Sequence, residues 1–420
     1  MRYIYKVIAL LLLGCSVNEV EFARFSSGLV SSIQKYKITA TKEILNKTKG
    51  YPPAVGSGLF FLGKEGEDLL FYAVSDRGPN APVREDGLNK VIFFSPDYFP
   101  VIATVKVTKN KAEIINHFSV IKLNGKSYTG MPTNGIVGPS YYRIPVDENV
   151  KDIHQYVKGM DSESIALDKE GNIWIGEEYE PAIIKLDKKT KRATKVYRPG
   201  EGLPDYIRHI QVNRGFEAIA FAPNGMLYAV LEGTLNFNNK AHESKFIRFF
   251  EINPKTDEIR VFAYKFDDNI YKSPKYVKIG DLVAINNDEF LLVEQGKTKE
   301  GSVRNVIQRV NIKNATNISN YISKGGGHLE HKEDLSHIEF IKKTPFLDVN
   351  KYGWDENKLE GLSIVDNQTI AISNDNDFGI DSVERNYNCE SDSCDKLRVH
   401  KPDSKQHTKL WIIKFREKFF

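Results

Sequence analysis

Asp161-Ser-Glu163-Ser-Ile165-Ala-Leu167-Asp168-Lys-Glu-Gly171-Asn-Ile173-Trp174-Ile175-Gly-Glu177-Glu178 reads as a β-hairpin with acids at both ends. Apolar residues alternate on either side of a Gly-containing turn, which is the pattern of two half-buried strands. Antiparallel pairing returns the end of the second strand to the level at which the first began, so Glu163 and Glu177 are expected at one edge of their sheet.

The same pattern recurs. Glu217 to Phe221, a turn at Asn224-Gly225, and Met226 to Glu232 form one copy. Asp281 to Ile285 with Phe290 to Glu294, and Glu360 to Ile364 with Thr369 to Asp375, form two more. A weaker early copy ends in Ser75-Asp76-Arg77-Gly78. Copies spaced by roughly 55 to 80 residues fit one four-stranded blade per repeat with long loops. The expected fold is therefore an all-β propeller of about six blades with irregular loops and few helices. Val101 to Leu123 is expected to supply strands for a blade without bracketing acids, and Asp334 to Lys342 one short helix. Trp174, Trp354 and Trp411 are expected to pack between blades.

Radial sheets bring corresponding hairpin edges to one central mouth, so acids hundreds of residues apart converge. Convergent carboxylates repel, and the remedies are protonation or a bound cation. A donor set of Asp, Glu, Asn and main-chain carbonyls suits Ca²⁺. The expected ligands are Asp76, Glu163, Glu177, Glu217, Asp281, Glu294, Glu360 and Asp375.

The N-terminus carries Arg2 and Lys6, then Val7-Ile-Ala-Leu-Leu-Leu-Leu13 and Gly14-Cys15. This reads as a secretion signal over residues 1–14, with Leu12-Leu13-Gly14-Cys15 resembling a bacterial lipobox that would acylate Cys15. Residues 15–40 are then a linker from the lipid anchor, and 41–420 the propeller. The expected place is the bacterial cell envelope, at the outer membrane or the periplasmic face of the inner one. In an oxidising compartment Cys389 and Cys394 are close enough in sequence to form a disulfide. The net charge of +4 falls to +2 without Arg2 and Lys6, and 59 basic residues are interspersed with 55 acidic ones, so no nucleic-acid surface is indicated. A monomer is expected.

Neither a Gly-x-Ser-x-Gly elbow nor a Gly-x-x-x-x-Gly-Lys-Ser/Thr loop is present. Gly325-Gly326-Gly327 precedes His328, Glu330 and His331, but without the His-Glu-x-x-His spacing of a helical zinc site.

With Ser75-Asp76-Arg77-Gly78, Asp161-Ser-Glu163-Ser with Glu177-Glu178, Asn213-Arg-Gly-Phe-Glu217, Glu294, Leu359-Glu360-Gly361-Leu362 and Asn374-Asp375-Asn376-Asp377-Phe378, the chain resembles the phytase-like β-propellers, a bacterial family named for esterase-like activity of phytase. The resemblance implies an exported propeller that hydrolyses phosphoric or other esters. Ser164 and Ala218 stand where members more often carry Gly, and the Asp-Asp-Pro-Ala segment of alkaline propeller phytases has no clear counterpart, so phytate is not carried over as substrate.

The expected chemistry is Ca²⁺-assisted attack of water on a small anionic ester. Arg77 is the candidate phosphate-binding residue, its other role being to pair with neighbouring acids. Glu178 is the candidate general base; as the neighbour of Glu177 on a strand it should point the opposite way. A lactone or carboxylic ester is the alternative substrate, and a ligand-binding propeller with structural Ca²⁺ the non-catalytic alternative.

Overall fold

The computed structural model describes residues 20–420 apart from 26, 41, 48–49, 53, 86–87, 133–143, 150, 154–158, 322–327, 381–382, 386–396 and 400–406. The signal segment, Cys15, Cys389 and Cys394 lie outside the described residues.

The hairpins of the sequence are the inner pairs of five four-stranded antiparallel blades. Blade 1 is Gly58–Glu65, Asp68–Val74, Val101–Val107 and Ala112–Ser119. Blade 2 is Ser162–Leu167, Ile173–Glu177, Ala182–Leu186 and Ala193–Pro199, with a short fifth strand at Gly202–Leu203. Blade 3 is Phe216–Phe221, Leu227–Leu231, Ile247–Ile252 and Ile259–Tyr264. Blade 4 is Val277–Ala284, Glu289–Lys297, Val303–Asn311 and Lys342–Asp348. Blade 5 takes Gly361–Asp366, Thr369–Ser373 and Lys409–Phe415 from the end of the chain and its fourth strand, Val30–Thr39, from the beginning, with the short strand Glu21–Arg24 paired along the far edge of that strand. A short parallel pairing, Ile38 with Ala112 and Thr39 with Glu113, joins blades 5 and 1 edge to edge.

The first strands touch in the order of blades 1, 2, 3, 4, 5 and back to 1, which closes the ring. The described residues thus form five blades where chain length suggested about six. Val101 to Leu123 supplies the outer pair of blade 1 rather than a blade of its own. The linker expected over 15–40 is likewise corrected, because Val30–Thr39 is an integral strand. Asp334 to Lys342 is not helical; the nearby helix is a single 3-10 turn at Leu329–His331. Among the described residues the one α-helix is Lys42–Lys47, and no helix is long and apolar enough to cross a membrane.

Each gap between blades is filled by the apolar faces of the alternating strands. Trp174 and Tyr197 of blade 2 meet Phe216 and Tyr228 of blade 3, and the same cluster runs on to Phe290 and Leu292 of blade 4. Val74 and Ile102 meet Ile165 and Ile175 between blades 1 and 2. Leu291 and Ile307 meet Leu362 and Trp411 between blades 4 and 5, where Trp354 stands edge-on to Trp411 at 5.0 Å. Leu59 and Phe71 meet Tyr36 and Leu410 between blades 5 and 1. All three tryptophans are buried as expected.

Candidate functional site

The acids at the centre are aimed by register. In the five inner hairpins Gly58 pairs with Val74, Ser164 with Gly176, Ala218 with Val230, Leu282 with Leu292, and Gly361 with Ser373. The residue before each first partner defines one ring of positions: Ser57, Glu163, Glu217, Asp281 and Glu360. The residue two beyond each second partner defines another: Asp76, Glu178, Glu232, Glu294 and Asp375. Glu163, Glu217 and Asp281 each sit in a register shift, the first two at the start of their strands and Asp281 in the middle of Val277–Ala284. Such bulges re-aim a side chain that regular pleating would send to a sheet face.

Glu163, Glu217 and Glu360, from blades 2, 3 and 5, each offer a carboxylate oxygen within 4.8 Å of the others. Glu178, Glu217 and Glu232 form a second such group, and Asp161, Glu163 and Glu178 a third. All six residues are buried. Glu163, Glu178 and Glu217 each belong to two groups, so they are the shared corners of one array. Asp161, Glu232 and Glu360 cap its edges, and each faces a cation. Arg77 pairs with Asp161 and lies 3.8 Å from Glu178. Lys278 pairs with Glu232, with the Arg214 Nε 3.6 Å away. Lys358 stands 3.9 Å from Glu360 and pairs with Asp375 and Asp377, which form a fourth group with Asp76.

Electrostatics separate the shared acids from the paired ones. Burial, and then the neighbouring carboxylates, hold Glu163, Glu178 and Glu217 well above the usual carboxylate range. Burial also pushes Glu360 up to about 8, against the pull of Lys358. At Glu232 burial is outweighed by Lys278 and Arg214, and at Asp375 by Lys358, so both are held below the usual range. Asp76 is raised by burial and by Asp375 and Asp161. Across the four groups nine carboxyl groups face four cations, an imbalance that a protein relieves by binding protons or a metal.

Three expected ligands lie elsewhere. Glu177 points away from the array, as strand alternation requires of the neighbour of Glu178, and its carboxylate accepts from the amides of Asp161, Tyr179 and Glu180 at 3.1, 3.0 and 2.9 Å. Asp281 accepts from the amides of Leu282 at 2.8 Å and Leu362 at 2.7 Å, so it ties blade 4 to blade 5. Glu294 turns outward to accept from the Tyr264 and Tyr271 hydroxyls and pair with Lys343. Glu178, expected as the base, is in the array. Arg77 also donates to Asn213, so among its two expected roles the contacts place it with neighbouring acids, while its Nε makes no hydrogen bond.

Asp161 and Glu232 belong to the array and escaped the sequence-derived ligand set, although both stood at the ends of repeat copies. Lys278 and Lys358 carried no signal, because a lysine beside a strand is ordinary until the ring closes.

Residues 57–378, more than half of the chain, match the phytase-like family, described as esterase-like activity of phytase. The chain belongs to the phytase-like family. No curated protein matches it. Among solved structures, a luciferin-regenerating enzyme is similar at 10% identity over 88% of this chain and 94% of that one, with a TM-score of 0.33. Virginiamycin B lyase from Staphylococcus aureus is similar at 12% identity over 91% and 98%, with a TM-score of 0.32. Drosophila semaphorin 1b is similar at 13% identity over 77% and 51%, with a TM-score of 0.30. At these scores the likenesses carry no argument, and the reading of this phytase-like chain rests on its own residues.

Proposed function

We propose that this phytase-like propeller is a calcium-dependent hydrolase of phosphoric esters working at its central acid array. The observation that carries the reading is the meeting of Glu163, Glu217 and Glu360 from three blades, each buried, with oxygens within 4.8 Å. The residues fit a hard cation. All are oxygen donors, and Glu217 Oε2 is buried without a hydrogen-bond partner, a costly state for a carboxylate that metal coordination relieves.

Glu163, Glu217 and Glu360 would hold the ion, with Glu178 at the adjoining corner. When bound, Ca²⁺ would neutralise the ester and polarise its phosphoryl oxygen. The chain's own groups do the rest. Lys358, Lys278 and Arg77 keep partial exposure beside the array, so an anionic ester approaching it meets cations already held by Asp375, Glu232 and Asp161. Arg77 is fixed by Asp161 and Asn213 and keeps 14% side-chain exposure, so its guanidinium offers a phosphate positive charge at a set place. Glu178, at the adjoining corner and 3.8 Å from Arg77, is the carboxylate assigned to take the proton of the attacking water. The same reading places the protein in the bacterial envelope through a lipid on Cys15, which is tested by loss of membrane fractionation in Cys15→Ser.

The test is release of p-nitrophenol by the purified chain from phosphate monoesters, phosphate diesters and acyl esters, with calcium or with EDTA. Calcium-dependent release from phosphate esters supports the reading. Release from acyl esters alone redirects it to a lactonase or carboxylesterase, and calcium binding with no release from any ester leaves a ligand-binding propeller.

A further inference from the structure

Blade 1 has no acid at the ring position where the other four blades carry Glu163, Glu217, Asp281 and Glu360. It has Ser57. That residue precedes Gly58, which pairs with Val74 as Gly361 pairs with Ser373 and Ser164 with Gly176, so Ser57 occupies the place of Glu360 and Glu163. Blade 1 lies between blades 2 and 5 in the ring, the two that supply those glutamates. The approach is close. A Cβ on Gly58 would fall 2.8 Å from the Cα of Ser164 and 2.9 Å from the carbonyl oxygen of Glu163, so only glycine lets the blade 1 strand start this near the acid of blade 2.

Ser57 is fully buried, yet its Oγ has no hydrogen-bond partner. A hydroxyl buried in that state costs about 1–3 kcal/mol. Asp281, the remaining member of the ring, is committed to the amides of Leu282 and Leu362. Glu217 Oε2 is the second buried oxygen of the ring without a partner. Two unpartnered oxygens thus belong to one ring whose three glutamates converge.

We infer that Ser57 Oγ is a neutral fourth protein ligand to the cation held by Glu163, Glu217 and Glu360. The inference rests on the calcium reading above and extends it to a residue that no acid pattern marks. A neutral donor at this position lets the ion gain a ligand without adding a fourth negative charge to a centre already short of cations.

The experiment is calorimetric titration of the purified chain with calcium chloride, alongside thermal melts in EDTA, for wild type, Ser57→Ala and Ser57→Asp. Ser57→Ala should melt in EDTA at or slightly above the wild-type temperature, because it removes an unsatisfied hydroxyl, and should bind calcium at least about tenfold more weakly. Ser57→Asp should melt lower in EDTA and bind calcium more tightly. Wild-type calcium affinity in a normally folded Ser57→Ala overturns the inference and leaves the calcium reading intact. A wild-type chain that takes up no calcium overturns that reading, and the inference with it.

Discussion

Without calcium, the phytase-like chain should become less stable as pH rises through neutrality, the reverse of what salt-bridged acids produce. Glu360 carries the largest defined share. Its carboxyl is pushed from 4.5 up to about 8, chiefly by burial, with Asp375 and Asp377 adding to the effect and Lys358 and Lys278 opposing it. The folded state therefore holds this proton more tightly than the unfolded chain does. The stabilisation is complete below about pH 4.5 and is lost as pH climbs through about 8; the two values differ by about 5 kcal/mol. With an unfolding entropy of about 2.1 cal/mol/K per residue, the whole difference is worth about 6 °C of melting temperature in a chain of this size, and about 4 °C of it falls between pH 5 and pH 9. Glu163, Glu178 and Glu217 are shifted in the same direction and add to the loss. The assay is a thermal melt in EDTA from pH 5 to pH 9, repeated for Glu360→Gln, which should flatten the slope. Excess calcium should stabilise more at high pH than at low, because the ion then displaces fewer protons. A melting temperature in EDTA that stays level or rises over this range, or a Glu360→Gln variant with the wild-type slope, would refute the reasoning.

Glu217→Gln alters a corner shared by two acid groups and should lower calcium affinity about 100-fold or more while the chain still folds, read by calorimetry and circular dichroism. Arg77→Ala strands the fully buried Asp161 and should cost about 3–5 kcal/mol in urea unfolding, as expected for a buried pair that loses one partner. Glu294→Gln should leave calcium affinity unchanged but lower stability by about 1–3 kcal/mol, since the tyrosine hydroxyls and Lys343 lose their charged acceptor. Glu177→Ala should destabilise blade 2, through three amides left without their carboxylate, with a smaller effect on calcium binding than Glu163→Gln.

The blades were legible because strand alternation and turn residues are local properties. Every inner hairpin read in the sequence, from Asp161–Glu178 to Glu360–Asp375, is an inner hairpin of the fold. Blade number was less legible, since Asn80–Glu85, Leu88–Phe93 and Ile144–Val146 form a small side sheet that lengthens the chain without adding a blade. The N-terminal strand was hidden for another reason: Val30–Thr39 finds its partner at Lys409–Phe415, and no local pattern announces a pairing across the whole chain. Within the site, residue type marked Glu163, Glu217 and Glu360, whose carboxylates converge, but type alone could not separate them from Asp281 and Glu294. Those two satisfy their charge with backbone amides and tyrosines, and that choice depends on neighbours from other strands. Ser57 was invisible, because its meaning comes from its ring position.

Blade 5 is stitched from both ends of the chain, with Val30 opposite Phe415 and Lys37 opposite Lys409. A ribosome that has released everything up to Glu360 has therefore made four blades and most of the acids, yet the circle remains open until the last strand emerges and meets the first. Pairing across such a sequence distance is slow. The central acid array, which needs Glu360 held against Glu163 and Glu217, is thus among the last parts to take shape, and trimming either terminus back into these strands should disrupt the distant array without touching any residue in it.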